Sequence, residues 1–260
     1  MKTSRRKFLT IAGLAITGLG AKQGLGLLIG EEPAAAAPSL VAAPKRYAMI
    51  VDPAKCQKGN GCTDCIAACT KVHNIPDFGN DTQHAIKWLW KDTYAGAFDD
   101  EAETNFNTAG IVEDPILVMC NHCDNPPCVR VCPTQATWKR ADDGIVTWDM
   151  HRCIGCRFCI AACPYGSRSF NWTDPRPYIT EINPDFPTRT KGVVEKCNFC
   201  LERLEQGLQP ACVEACPSQA LVFGDLEDPN SAVRQLLGTR YTVRRKTHLG
   251  TQPQVYYITS

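Results

Sequence analysis

The sequence predicts a loop-rich α+β protein made of two small modules, organised by metal ligation more than by a large apolar core. Three observations predict it. Sixteen cysteines fall into four groups of four with none left over. Short alternating strands joined by a glycine-containing turn lie between two of the groups. The layout of group and strand then repeats within the chain. The 260 residues carry a formal net charge of +1 and 44% hydrophobic residues, enough for one compact unit or two small ones. That near-neutral balance leaves no footprint for nucleic acid or an anionic membrane surface.

Taken in chain order, residues 1–36 read as a twin-arginine export signal. Arg5 and Arg6 precede an apolar run from Leu9 to Gly20, and Ala34 to Ala37 supply small residues for cleavage. Cleavage is expected after Ala36, because Pro38 disfavours a cut directly before it. A membrane anchor is the alternative, but Lys22 interrupts the run before it reaches the roughly 20 apolar residues of a span. Gly18, Gly20 and Gly24 make no dinucleotide fingerprint, since no strand precedes them. The mature chain is expected in the periplasm, soluble or peripheral to the membrane.

The cysteine groups follow. The first is Cys56, Cys62, Cys65 and Cys69, spaced C-x5-C-x2-C-x3-C with Thr70 after it. The second is Cys120, Cys123, Cys128 and Cys132, with Pro133 next. The third, Cys153, Cys156, Cys159 and Cys163, is a C-x2-C-x2-C-x3-C run closed by Pro164. The fourth is Cys197, Cys200, Cys212 and Cys216, closed by Pro217.

This spacing suits an iron–sulfur cubane, whose four irons each take one thiolate. Two residues between cysteines let a short loop wrap one corner of the cube, and small residues such as Gly155 admit the backbone closely. The cysteine after x3 starts a turn that leads away, and in two-cluster proteins it ligates the neighbouring cluster. Disulfides would suit an exported chain but do not require this run. Zinc favours paired C-x2-C knuckles rather than triplets with a remote fourth. The first group departs from the pattern through Gln57-Lys58-Gly59-Asn60-Gly61, either a harmless bulge or the mark of an altered cluster. Four [4Fe–4S] clusters are expected, and a pathway that exports folded proteins allows them to be built before export.

Between the second and third groups, Gln135 to Arg140 and Ile145 to Asp149 alternate around Gly144 as a hairpin. Gln219 to Asp225 repeats the first half of that layout after the fourth group, and Tyr47 to Asp52 supplies the other half before the first. An inner module at 116–170 and an outer module from 45–70 and 193–225 are therefore expected. An insertion at 71–115 holds Trp88, Trp90, Tyr94, Phe98 and Phe106 beside Asp99-Asp100-Glu101, and either covers the clusters or forms an interface. Residues 171–192 read as a connecting loop. Residues 226–260 form a C-terminal extension, with a helix near Ser231 to Leu237 and a strand at Val255 to Ile258.

Group, proline, hairpin, group is the layout of a bacterial ferredoxin, and from about Lys45 to Ser260 the chain resembles the four-cluster subunits of complex iron–sulfur and polysulfide reductases. Lys71 to Pro76, Ile86 to Trp90, Asn121 to Cys128 and Arg168 to Pro177 bring it nearer to DsrO, the periplasmic ferredoxin-like subunits of Dsr membrane complexes in sulfate reducers and sulfur oxidisers. The resemblance implies that Cys56, Cys62 and Cys65 share a cluster with Cys216, and Cys197, Cys200 and Cys212 with Cys69. It likewise pairs Cys120, Cys123 and Cys128 with Cys163, and Cys153, Cys156 and Cys159 with Cys132. It implies two partners, an integral membrane subunit that interacts with quinone and a multihaem cytochrome c.

His122 and His151 adjoin ligand cysteines, but each group already has four thiols, so both are read as neighbours of a cluster or surface residues. No catalytic residue is expected, since the chain has no nucleotide loop and no open metal site with an acid–base partner. The expected function is electron transfer in a membrane-bound complex linking quinone and cytochrome c to sulfur metabolism. A subunit of a molybdenum oxidoreductase is the alternative, and a disulfide- or zinc-stabilised binding protein is a further one.

Overall fold

The computed structural model describes residues 44–58, 61–99 and 113–259. The expected export signal, Gly59-Asn60, and Asp100, Glu101 and Phe106 of the insertion lie outside the described residues. In chain order the strands are β1 (Tyr47–Val51), β2 (Leu89–Thr93), β3 (Pro115–Met119), β4 (Thr137–Lys139), β5 (Val146–Trp148), β6 (Ser169–Phe170), β7 (Val194–Glu195), β8 (Leu221–Asp225), β9 (Thr242–Val243) and β10 (Val255–Ile258). The helices are α1 (Pro53–Lys58), α2 (Asp64–Val72), α3 (Tyr94–Ala97), α4 (Pro127–Arg130), α5 (Phe158–Ala161), α6 (Leu201–Leu204), α7 (Ala211–Glu214) and α8 (Ala232–Thr239). Most are single turns, so irregular chain dominates. None of the described helices is long and apolar enough to cross a membrane.

A four-stranded sheet runs in the order β8-β1-β10-β9. β1 pairs antiparallel with β8 from Tyr47–Asp225 to Val51–Leu221, and parallel with β10 through Met49–Val255 to Val51–Tyr257. Side chains alternate across a strand, and here each face has its own core. Met49, Val51, Leu221, Phe223, Val255 and Tyr257 face the main core, which also holds Cys65 and Cys69. Ala48, Ile50 and Ile258 face the other way, packed with Val233 of α8. Ser231 caps α8, its hydroxyl accepting from the Arg234 amide. The sheet thus joins both ends of the described chain. The tail expected as an extension beyond the modules supplies β10 at the centre of that sheet.

The insertion builds a ladder of its own. β2 pairs antiparallel with β3 from Leu89–Met119 to Thr93–Pro115. Trp88 and Phe98 are buried in the main core, so these two rings cover the thiols. β4 and β5 form the expected hairpin, Thr137 opposite Trp148, and its turn uses Gly144 at φ +74°, where glycine carries no steric penalty.

β6 pairs with β7, Ser169 opposite Glu195, closing the connecting segment between them. That segment has little regular structure, a 3-10 turn at Arg176–Tyr178, but it is pinned to the insertion. Arg189 is fully buried and hydrogen-bonds the carbonyls of His73 and Asn74, the latter at 2.7 Å. Asn74 stands at φ +53° and donates to the carbonyls of Asn183 at 2.9 Å and Phe186 at 2.6 Å. The described residues lie in one unit, Ala43–Ser260.

Candidate metal centre

All sixteen cysteines lie among the described residues as free thiols. The fold brings them together in four sets. Cys56 stands beside Cys62 and Cys216, and Cys65 beside all three. Cys69 stands beside Cys197, Cys200 and Cys212. Cys120, Cys123, Cys128 and Cys163 line one cavity. Cys132, Cys153, Cys156 and Cys159 line another. Each set takes three thiols from one stretch of chain and the fourth from another, and the memberships are those implied by the resemblance.

Local structure explains the presentation. α2 carries Cys65 and Cys69 four residues apart, so both face the core from one side of the helix, yet they serve different sets. α4, α5 and α7 each carry one thiol, respectively Cys128, Cys159 and Cys212. Gly155, between Cys153 and Cys156, has φ +69°, and a Cβ there would run into the Gly192 carbonyl. Backbone amides point at several sulfurs: Phe199 N–H at Cys197 (3.4 Å), Ala211 N–H at Cys200 (3.4 Å), Ala220 N–H at Cys216 (3.2 Å).

The sets also abut one another in order. Cys65 of the first neighbours Cys69 and Cys212 of the second. Cys197 of the second neighbours Cys120 of the third, and Cys128 of the third neighbours Cys159 of the fourth. The result is a line of four sets.

Burial makes several of these thiols poor acids on their own. It pushes Cys65, Cys123 and Cys197 up to about 12, with neighbouring thiols adding to the effect. Cys69 and Cys212 are driven well above the ordinary value for the same reasons. Burial also opposes ionisation of Cys132, but donors from Thr137, Thr134 and Ala136 outweigh it and hold this thiol below the ordinary value. A metal ligand must be a thiolate, so loading these sets releases protons.

The donor set fits a cubane better than a single ion. Among the described residues, no three thiols of one set come within 4.8 Å of one another. Tetrahedral zinc with Zn–S bonds of about 2.3 Å would need its sulfurs roughly 3.8 Å apart. The described thiols are also unpaired. The compact cluster of candidate ligands that does occur, His73, Cys200 and Glu202, is a wall of the second set. There His73 Nε2 lies 2.8 Å from Glu202 Oε1.

Several residues around the sets carry no mark in the sequence. Arg168 is 5% exposed, lines the third cavity, and donates to Thr137 Oγ1 at 3.1 Å. Lys196 is fully buried and hydrogen-bonds the Val146 carbonyl and, at 2.7 Å, the Cys197 carbonyl. Its adjacency to Cys197 was the one available hint. His122 is buried at φ +41°, stacked on Phe199 at 3.6 Å, and its Nδ1 accepts from the Val146 amide at 3.2 Å. Burial, with Lys196 and Arg168 nearby, drives its pKa well below the ordinary value, although a bond with Cys197 partly opposes this. His151 is exposed, as a surface reading of it expected.

Ferredoxin-like architecture and these thiol sets define a protein that holds multiple [4Fe–4S] clusters, in a chain of mixed short helices and strands. A family described as a 4Fe-4S dicluster domain matches residues 116–176 and 182–226. The chain is 40% identical over 281 residues to Hdr-like menaquinol oxidoreductase iron-sulfur subunit 1 of Archaeoglobus fulgidus, covering 98% of this chain and 97% of that protein. It is 37% identical over 240 residues to the menaquinone reductase iron-sulfur cluster-binding subunit of Nitratidesulfovibrio vulgaris, covering 82% and 88%. It is 37% identical over 246 residues to the arsenate respiratory reductase iron-sulfur subunit ArrB of a Shewanella species, covering 83% and 97%. The chain belongs to this family of iron–sulfur electron-transfer subunits of oxidoreductase complexes.

Proposed function

We propose that this chain carries single electrons along four [4Fe–4S] clusters as the periplasmic iron–sulfur subunit of a membrane-bound complex that connects the quinone pool and a cytochrome c to sulfur metabolism. All sixteen cysteines are ligands in this reading, one set of four per cluster, and no residue is catalytic. The outer module would hold the first and second sets and the inner module the third and fourth. Bound clusters supply one-electron carriage at potentials set by charge, hydrogen bonding and exposure. The protein's part is to hold thiolates, aim amides at sulfur and exclude water. The observation that carries the reading is the line of four abutting thiol sets, each too wide for a single metal ion. Two relatives named for menaquinol or menaquinone chemistry support a quinone-interacting membrane partner. The sulfur link and export by the twin-arginine route rest on the sequence resemblance and on residues 1–36.

A second reading is the same relay in a molybdenum oxidoreductase, favoured by the similarity to the subunit of an arsenate reductase. Anaerobic purification with iron and acid-labile sulfide analysis tests the shared core. About sixteen irons, four per cubane, support it; about twelve would point to a defective first set, and a colourless, iron-free protein would overturn it. Native co-purification separates the readings: a multi-spanning membrane protein with a cytochrome c supports the first, a large pterin-bearing subunit the second.

A further inference from the structure

We propose that Lys196 and Arg168 are fixed counter-cations to the cluster held by Cys120, Cys123, Cys128 and Cys163, and that they make it the most easily reduced cluster of the chain. The inference deepens the function above and rests on its reading that these four thiols hold a cluster.

Both cations sit against one cavity. Arg168 lines it, with Cys128, Cys159 and Cys120 beside it. Its second terminal nitrogen has no hydrogen-bond partner among the described residues, so that end of the guanidinium is free for a charge in the cavity. Lys196 reaches the cavity through a lining residue. It is fully buried, and its ammonium is held by the carbonyl of Val146, itself a cavity-lining residue. Both cations stand close to His122, which lines the same cavity. Lys196 has carbonyl acceptors and, among the described residues, no ion-pair carboxylate. Neighbouring Glu195 is engaged by Arg189. A buried cation without a protein anion is costly unless another negative charge compensates it.

A thiolate-ligated cubane is that negative charge, and it gains one more on reduction. A cation held nearby in a medium of low effective dielectric favours the reduced form, and burial keeps salt from screening it. Net charge is among the determinants of cluster potential. The line of sets distributes the two cations unequally. Lys196 lies at the junction of the second and third sets and Arg168 at that of the third and fourth. The third set therefore has Arg168 beside two of its thiols and Lys196 against the Val146 and His122 walls of its cavity. The second shares Lys196 but stands beside the carboxylate of Glu202, and the Arg203 near Cys200 is paired with Glu214; the first has the partly exposed Lys91 near Cys56.

The test is a redox titration followed by electron paramagnetic resonance on the anaerobically purified full chain, with iron and sulfide measured on each sample. Neutral variants Lys196→Gln and Arg168→Gln are compared with charge-keeping Lys196→Arg and Arg168→Lys, and Cys128→Ser marks the component belonging to the third set. The expected result is that the component reduced first in the wild type is the one altered by Cys128→Ser. Either neutral variant should make it at least about tenfold harder to reduce, which is about 59 mV for one electron, while the charge-keeping variants stay near wild type. Cluster loss confined to the neutral variants also supports the counter-cation role. Equal behaviour of neutral and charge-keeping variants, or a third-set component that neither neutral variant moves, overturns it. Missing iron in the wild type would instead overturn the cluster reading beneath it.

Discussion

Arg189 and Glu195 meet at 2.8 Å with neither side chain reaching solvent. Arg189 Nε approaches Glu195 Oε2 without the alignment of a hydrogen bond, so this contact is ionic. The hydrogen bonds come from elsewhere. Glu195 accepts from Trp88 Nε1 at 2.8 Å and Asn171 Nδ2 at 2.6 Å. Arg189 also lies over the Trp88 ring at 5.6 Å. One pair therefore ties the connecting segment, the insertion and β7 together.

Removing one partner leaves the other charge buried and unpaired. Arg189→Met should destabilise the chain by about 3–5 kcal/mol, and adding Glu195→Leu should recover part of that loss. Anaerobic urea unfolding of wild type, both single variants and the double variant measures it. Equal loss in the single and double variants would contradict the account.

Tyr257 faces Arg245 with no aligned hydrogen bond to its hydroxyl. Burial raises this phenol to about 12, although Arg245 pulls the other way. The folded chain thus keeps a proton that the unfolded chain releases near pH 10. Stability from this group is complete below about pH 10 and is lost as pH rises towards 12. Tyr257→Phe should be neutral or slightly stabilising at pH 7 and should lose less stability than wild type in that alkaline window. Melting temperatures across the two pH ranges decide it.

Gly155 should tolerate no side chain. A Cβ would overlap the Gly192 carbonyl and press on Phe170 at 3.2 Å, at a φ of +69° that disfavours alanine in any case. Gly155→Ala should lower bound iron by about one cubane's four atoms, with the signal of the set of Cys132, Cys153, Cys156 and Cys159 lost first. Full iron content in this variant would show that the loop has room to adjust.

Ser231→Ala should act on stability alone. Its hydroxyl caps α8, which covers the face of the sheet away from the thiols. A loss of about 1 kcal/mol is expected, with iron and sulfide unchanged. A change in cluster content would mean that the two faces of the sheet are coupled.

Local pattern made part of this molecule legible in advance. The hairpin around Gly144, the strand at Tyr47–Val51 and the capped helix after Ser231 each carry their signal in adjacent residues. The cysteine spacing pointed to the chemistry because a cubane constrains neighbouring ligands. What stayed hidden depends on partners far apart in the chain. β10 reads as an isolated strand until β1, some 200 residues earlier, pairs with it in parallel. Lys196 and Arg168 look like ordinary surface cations, since even the adjacency of Lys196 to Cys197 does not by itself require burial. His73 becomes informative only once Glu202 arrives 2.8 Å away.

The crossing of the fourth cysteines has a consequence for biogenesis. Cys120 to Cys163 span a short continuous stretch and complete the two inner sets by themselves. The outer sets wait for Cys197 to Cys216, and the sheet that braces them waits for β10. A nascent chain can therefore mature its inner half early, while the outer half waits for the fourth group and β10. Filling of the outer sets would then act as a check that the two distant halves of the chain have met, which a product cut short before Cys216 cannot pass.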